Sequence, residues 1–155
     1  VPDAIRIRKA AARDLDTLHQ LEAAHFGDDQ FSRSQLRHLI LRANATSYVI
    51  ELDRKIVGSA IMVWRKNSRM GRLYSILISK QAQGRGLGAL LIARCEADAR
   101  QRGCTRVGLE VRADNKPAIA MYLKHNYEIT DSLPGYYHDG SNGLKMVKRI
   151  GVKSR

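Results

Sequence analysis

One segment, KQAQGRGLGALLIARCEADAR from Lys80 to Arg100, constrains this chain more than any other. Gly84, Gly86 and Gly88 alternate directly before a stretch in which Leu87, Leu90, Leu91 and Cys95 recur at i, i+3, i+4 and i+8, the stripe of one helix face. Just upstream, RLYSILIS (72–79) is apolar at both parities, as in a strand covered on both faces. Strand, glycine-rich turn and helix in that order collect unpaired backbone N–H groups at the positive end of a helix dipole, a seat for phosphate. The middle of the chain is therefore an α/β unit.

The same letters fit two different phosphate loops. Gly84, Gly86 and Ala89 satisfy G-x-G-x-x-A, the dinucleotide fingerprint, and Glu110 lies 21 residues beyond Ala89, near the offset of a ribose-binding acid. Three features oppose that assignment. The fingerprint normally opens a domain, whereas four predicted strands and two helices precede this one. Lys80 to Gln83 separate strand from glycine, too long a gap for the tight turn. Only 44 residues follow Val111, too few for a second mononucleotide-binding half. A Walker loop fails because no Gly-Lys-Ser/Thr is present. The remaining register is Q-x-x-G-x-G, starting at Gln83, with Arg85 adding charge at the rim.

Periodicity supplies the other elements. AIRIRKA (4–10) alternates as a strand, and RDLDTLHQLEAAHF sets Leu15, Leu18 and Leu21 on one helical face. After the loop GDDQF, whose Asp28–Asp29 pair reads as exposed, Ser32 and Gln35 form a capping box for a second helix to about Ala43. TSYVIEL, the turn DRK and IVGSAIMVW form a hairpin. Gly103 ends the third helix, and RVGLEVR follows as a strand with Val107, Leu109 and Val111 on one side and Glu110 on the other. Asp114 or Asn115 caps a fourth helix with Pro117 in its first turn. A strand, the polar loop PGYYHDGSNG and the strand LKMVKRI close the order β-α-α-β-β-β-α-β-α-β-β. The expectation is one mixed α/β domain over residues 1–150, with 151–155 a loose basic tail.

Composition narrows the function classes. Lys and Arg number 27 against 15 Asp and Glu, a net charge of +12 that suits anionic partners. The basic residues are spread along the chain without interleaved aromatics, so no dedicated nucleic-acid module is expected. Cys95 and Cys104 match neither a metal pair nor a disulfide framework and read as small core residues. The five histidines have no ligand spacing, so no metal is expected. No apolar run approaches the roughly 18 residues of a membrane span, and the opening residues lack a signal-peptide core, which points to the cytoplasm.

In the Q-x-x-G-x-G register, Gln83, Gly86 and Gly88 resemble motif A of the GNAT N-acetyltransferases, which cradles the pyrophosphate of acetyl-CoA. The likeness extends from Ile5 to Ile150 and is specific in QGRGLGALL and LEVRADNKPAIAMYLKHNY. Within the family the chain is similar to the RimI-type protein N-terminal acetyltransferases, through LEVRADNKPAIAMY, LEAAHF and the YYHDG pair. That branch is known for acting on a ribosomal protein. It implies a GNAT fold: a mostly antiparallel sheet splayed between strands 4 and 5 and flanked by about four helices. It also implies that Gln83, Gly84, Arg85, Gly86, Leu87 and Gly88 hold pyrophosphate, that backbone of Leu77 and Ile78 bonds the pantetheine arm, and that Asn115 contacts the cofactor. Tyr122 would be the general acid and Glu110 the general base. Phe26, Tyr136 and Tyr137 are the candidate acceptor contacts.

Two departures fall on the acceptor side. FGDDQFS lacks the Pro-Trp common in the RimI branch, and the fourth helix exits through Asn126-Tyr127 where Gly-Phe is usual. The expected reaction is transfer of acetyl from acetyl-CoA to a primary amine, foremost a protein N-terminus, by a monomer or homodimer. A lysine side chain or small amine is the alternative acceptor, and a non-catalytic acyl-CoA-sensing or nucleic-acid-binding domain the alternative from another class. An α-amine, with a pKa of about 8 against about 10.4 for lysine, asks less of its base. Direct attack by the amine leaves no nucleophilic role for either cysteine.

Overall fold

The computed structural model of the chain describes residues 4–27, 30–42 and 44–151. The Asp28–Asp29 pair, Ala43 and the tail beyond Gly151 lie outside them. The element order is the expected one: β1 (Ile5–Lys9), α1 (Leu15–Phe26), α2 (Arg33–Leu41), β2 (Ala45–Leu52), β3 (Lys55–Val63), β4 (Met70–Ile78), α3 (Leu87–Gln101), β5 (Arg106–Arg112), α4 (Lys116–Lys124), β6 (Glu128–Leu133) and β7 (Gly143–Arg149). Short-range chemistry accounts for several boundaries. Ser32 Oγ accepts from Gln35 N–H at 3.1 Å while Gln35 Oε1 accepts from Ser32 N–H at 2.8 Å, the reciprocal box that starts α2. Asp53 and Arg54, with φ of 52° and 71°, make the tight turn of the β2–β3 hairpin.

The strands form one seven-stranded sheet in the order β1-β2-β3-β4-β5-β7-β6. β1 with β2, β2 with β3, β5 with β7 and β6 with β7 are antiparallel. β4 and β5 run parallel and, among the described residues, pair through Met70–Arg72 and Arg106–Gly108, where their ladder ends. This is the GNAT fold expected from the sequence.

The chain divides into two compact units. The first, Val1–Trp64 with Leu73–Cys95, is built around Leu15, Leu18, Leu36, Val49 and Ile61. Arg8 braces it, reaching Asp14 at 2.8 Å and Glu51 at 2.9 Å. The guanidinium hydrogen bond holds the buried Asp14 carboxyl below the usual carboxylate range, against the opposing effect of burial.

The second unit, Arg65–Arg72 with Glu96–Arg155, buries Val107, Leu109 and Val111, the side of β5 that alternation set opposite Glu110, together with Met146. Its outer strand β6 is exposed along most of its length, with a register shift between Ile129 and Asp131. Along α3, Leu87, Leu91, Ile92, Cys95 and Ala99 are buried, whereas Leu90 is 43% exposed and leaves the expected stripe. Cys95 and Cys104 are buried and form no disulfide among the described residues.

Candidate active site

The glycine segment forms the turn its spacing required. β4 ends at Ile78, and the four-residue gap is spent on a 3-10 turn at Lys80–Ala82 before α3 begins at Leu87. Gly84 and Gly86 have φ of 82° and 78°, the left-handed region, and an added Cβ at either would touch nothing within 4 Å. Glycine is needed there for backbone conformation, not for room. Gln83 through Gly86 are exposed. The Gln83 amide donates to the carbonyl of Ile78 at 3.0 Å, tying the loop to the end of its own strand. No acidic side chain occupies the first turn of α3, so its dipole faces the loop uncountered. These residues fit a pyrophosphate: left-handed glycines, helix-end N–H groups and a cation at Arg85.

Leu77 and Ile78 are held from the other side by a close backbone approach. A Cβ on Gly58 of β3 would lie 2.7 Å from the Leu77 carbonyl oxygen and 2.6 Å from Ile78 Cδ1. Only glycine lets β3 pass this close.

In the second unit the sequence candidates have partners the sequence did not announce. Glu110, on β5, accepts from Arg72 Nε at 2.7 Å and Nη2 at 2.6 Å, with the two side chains 18% and 37% exposed. Asn115 is the N-cap of α4, its Oδ1 accepting from Ala118 N–H at 3.3 Å. Tyr122 is buried on α4, its ring 5.8 Å from that of Tyr127 and edge-on to it at 63°. Tyr127 in turn donates to the buried Glu96 at 2.8 Å, and Lys148 reaches the other Glu96 oxygen at 2.9 Å.

The candidate acceptor contacts separate into two kinds. Tyr137 is anchored: the Arg112 guanidinium lies 4.4 Å from its ring centroid, and its Cε2 would be 3.1 Å from a Cβ on Gly143. Arg112 also pairs with Asp139, whose carboxyl is held down at about 2, chiefly by its bonds to Ser141. Tyr136, edge-on to Tyr137 at 5.1 Å, stays 46% exposed. Phe26 ends α1, half-buried and edge-on to His25 at 4.6 Å.

Sequence reasoning missed Glu22. It is 2% exposed on α1, accepts from Phe31 N–H at 3.1 Å and from Ser75 Oγ at 3.5 Å, and burial pushes its carboxyl up. Phe31 then stacks on Tyr74, with centroids 5.3 Å apart. The signal was available, since Leu15, Leu18 and Glu22 fall at i, i+3 and i+7, which places an acid on the buried stripe. Among the described residues no group of three or more His, Cys, Asp or Glu is gathered as for a metal, and no helix is long and apolar enough to cross a membrane.

Comparison with known proteins agrees with this geometry. An N-acetyltransferase of Methanocaldococcus jannaschii that is itself uncharacterized is 30% identical over 146 residues, covering 92% of this chain and 90% of the relative. The fold superposes on the ribosomal-protein-S18-alanine N-acetyltransferase from Escherichia coli with a TM-score of 0.86, at 21% identity, over 98% of this chain and 97% of the other. It also superposes on a PaiA N-acetyltransferase from Thermoplasma acidophilum in complex with coenzyme A, with a TM-score of 0.79, at 16% identity, over 94% and 99% of the two chains. Residues 12–127 match the model of the acetyltransferase (GNAT) family. With a left-handed glycine turn at a helix N-terminus following a strand, the chain belongs to the GNAT family of acetyl-CoA-dependent acetyltransferases.

Proposed function

We propose that this chain acetylates the α-amine of a protein N-terminus, as a RimI-like enzyme of the cytoplasm folded as one catalytic domain over residues 1–150. Acetyl-CoA supplies an activated acyl group on a thiolate leaving group. The chain's own residues divide the remaining work. The Gln83–Gly88 turn and the first N–H groups of α3 bind pyrophosphate, and the backbone of Leu77 and Ile78 and the Asn115 amide orient the arm. Glu110 takes the proton of the attacking amine through water, while Arg72 fixes the direction of its carboxylate. Tyr122 returns a proton to the departing sulfur.

The acceptor half rests on the β6–β7 loop. Tyr137 is clamped between Arg112 and Gly143, so the neighbouring Tyr136 presents an exposed ring and hydroxyl on a rigid base, which suits gripping a peptide backbone. The resemblance to RimI-type enzymes and the E. coli protein's action on an S18 alanine support the same acceptor class.

The test is acetylation of a panel of N-terminal peptides, alanine- and serine-starting among them, beside lysine peptides with blocked N-termini and polyamines. Intact-mass analysis should place a single acetyl on the free α-amine. Turnover confined to lysine peptides or polyamines would overturn the acceptor assignment.

A further inference from the structure

We infer that Tyr127, Glu96 and Lys148 form a positioning relay that fixes the ring of Tyr122 for proton donation; this rests on Tyr122 being the general acid. At position 127 the resemblance leads one to expect phenylalanine, and the chain carries the same ring with a hydroxyl added. Tyr127 is 1% exposed, where an unbonded hydroxyl would be costly. It donates to Glu96 Oε2 at 2.8 Å. Glu96 is 5% exposed on a largely apolar face of α3, where a lone carboxylate would be costlier still, and Lys148 neutralises it through Oε1 at 2.9 Å. The Lys148 ammonium also lies 5.8 Å from the centroid of the Tyr127 ring. Each of the three polar groups answers the burial of another.

The set contributes little to stability relative to an apolar filling of the same space, since desolvating the pair offsets most of its attraction. Its geometric effect is larger. Tyr127 is held at both ends, its hydroxyl by Glu96 and its backbone N–H by the Tyr122 carbonyl at 3.0 Å. Between these anchors its ring stands edge-on to Tyr122 as a wall of fixed position. The residue that starts the return, Asn126, has φ of 72°, which turns the chain sharply enough to bring Tyr127 back onto Tyr122. A proton donor must meet its acceptor within a few tenths of an ångström, so a wall that cannot rotate converts to rate. Tyr127, Glu96 and Lys148 thus act through Tyr122.

A double-mutant cycle on turnover separates positioning from support. Kinetic constants, coenzyme A affinity and Tm are measured for the wild type, Tyr127→Phe, Tyr122→Phe and the double variant. Tyr127→Phe should lower kcat about tenfold, with acceptor KM and coenzyme A Kd held within about twofold, because the loss is one of alignment. In the Tyr122→Phe background the same change should leave kcat unaltered, since there is no hydroxyl left to align. Glu96→Gln, which keeps an acceptor for the Tyr127 hydroxyl but removes the negative charge facing Lys148, should lower kcat less than Tyr127→Phe; it carries the test if Tyr127→Phe fails to fold. A fall in Tm with kcat unchanged, or an equal fall in kcat in both backgrounds, would overturn the relay. Wild-type turnover in Tyr122→Phe alone would remove the acid role beneath it, a failure visible without touching Tyr127.

Discussion

The glycine turn and the β5–α4 region equip the protein in opposite ways. Between Gln83 and Gly86 the candidate groups are backbone amides, shaped by two left-handed glycines and left exposed. On β5 and α4 the candidate groups are side chains, and each is engaged: Glu110 with Arg72, Asn115 with its own helix end, Tyr122 with Tyr127. A backbone site needs only local conformation and tolerates side-chain drift around it. A side-chain site depends on partners brought from far along the chain, such as the 38 residues separating Arg72 from Glu110.

Breaking a side-chain group should therefore cost turnover, and breaking the backbone turn should cost binding. The largest effect is expected from Glu110→Gln, a kcat reduction of about 100-fold with coenzyme A affinity intact. A loss of Tm without loss of kcat would leave Glu110 as no more than a partner for Arg72. Next comes Gly86→Val. Forcing a β-branched residue to a positive φ costs about 1–3 kcal/mol, so coenzyme A Kd should rise about tenfold by calorimetry while kcat at saturation stays within a few-fold. Smaller still, Tyr136→Ala should raise the acceptor KM by about threefold and leave Tm unchanged, as for an exposed contact, whereas Tyr137→Ala should lower Tm.

The smallest effect is read in pH. Burial raises the Glu22 carboxyl above its unfolded value, so its contribution to stability is full below about pH 4.3 and is lost as pH rises through the folded value. Glu22→Gln should flatten that decline in Tm. Asp14, lowered mainly by its bond to Arg8, behaves in the reverse sense: its contribution is present above about pH 3.9 and is lost as pH falls. Asp14→Asn should flatten the acid limb and leave the other untouched.

The same contrast explains what could be read from the letters. Glycine spacing, the Ser32–Gln35 box and a cap at Asp114 or Asn115 are local patterns, and all three appear in the structure, with Asn115 taking the cap. Strand alternation likewise located the buried face of β5. Leu90 escaped because the stripe on α3 drifts toward Ile92 and Ala99, a choice made by the surface the helix packs on and not by its own period. Glu110 was legible as a candidate but its clasp by Arg72 was not, because nothing near either residue signals the other. Tyr127 stood out only as a departure from phenylalanine, and Glu96 and Lys148, 31 and 21 residues away from it, supply the reason. Glu22 was legible in principle, as an acid on an apolar stripe.

The outer strand β6 carries a consequence for the molecule's life among its own copies. Among the described residues it has a neighbour on one side only, and an open strand edge is an invitation to stack. Here the register slips at Thr130, kinking the rim, and Glu128 and Asp131 line it with negative charge. A second copy laid antiparallel against this rim would bring acid against acid across a bent ladder. The kink and the two acids thus work against stacking at this edge, where Ile129 is 49% exposed.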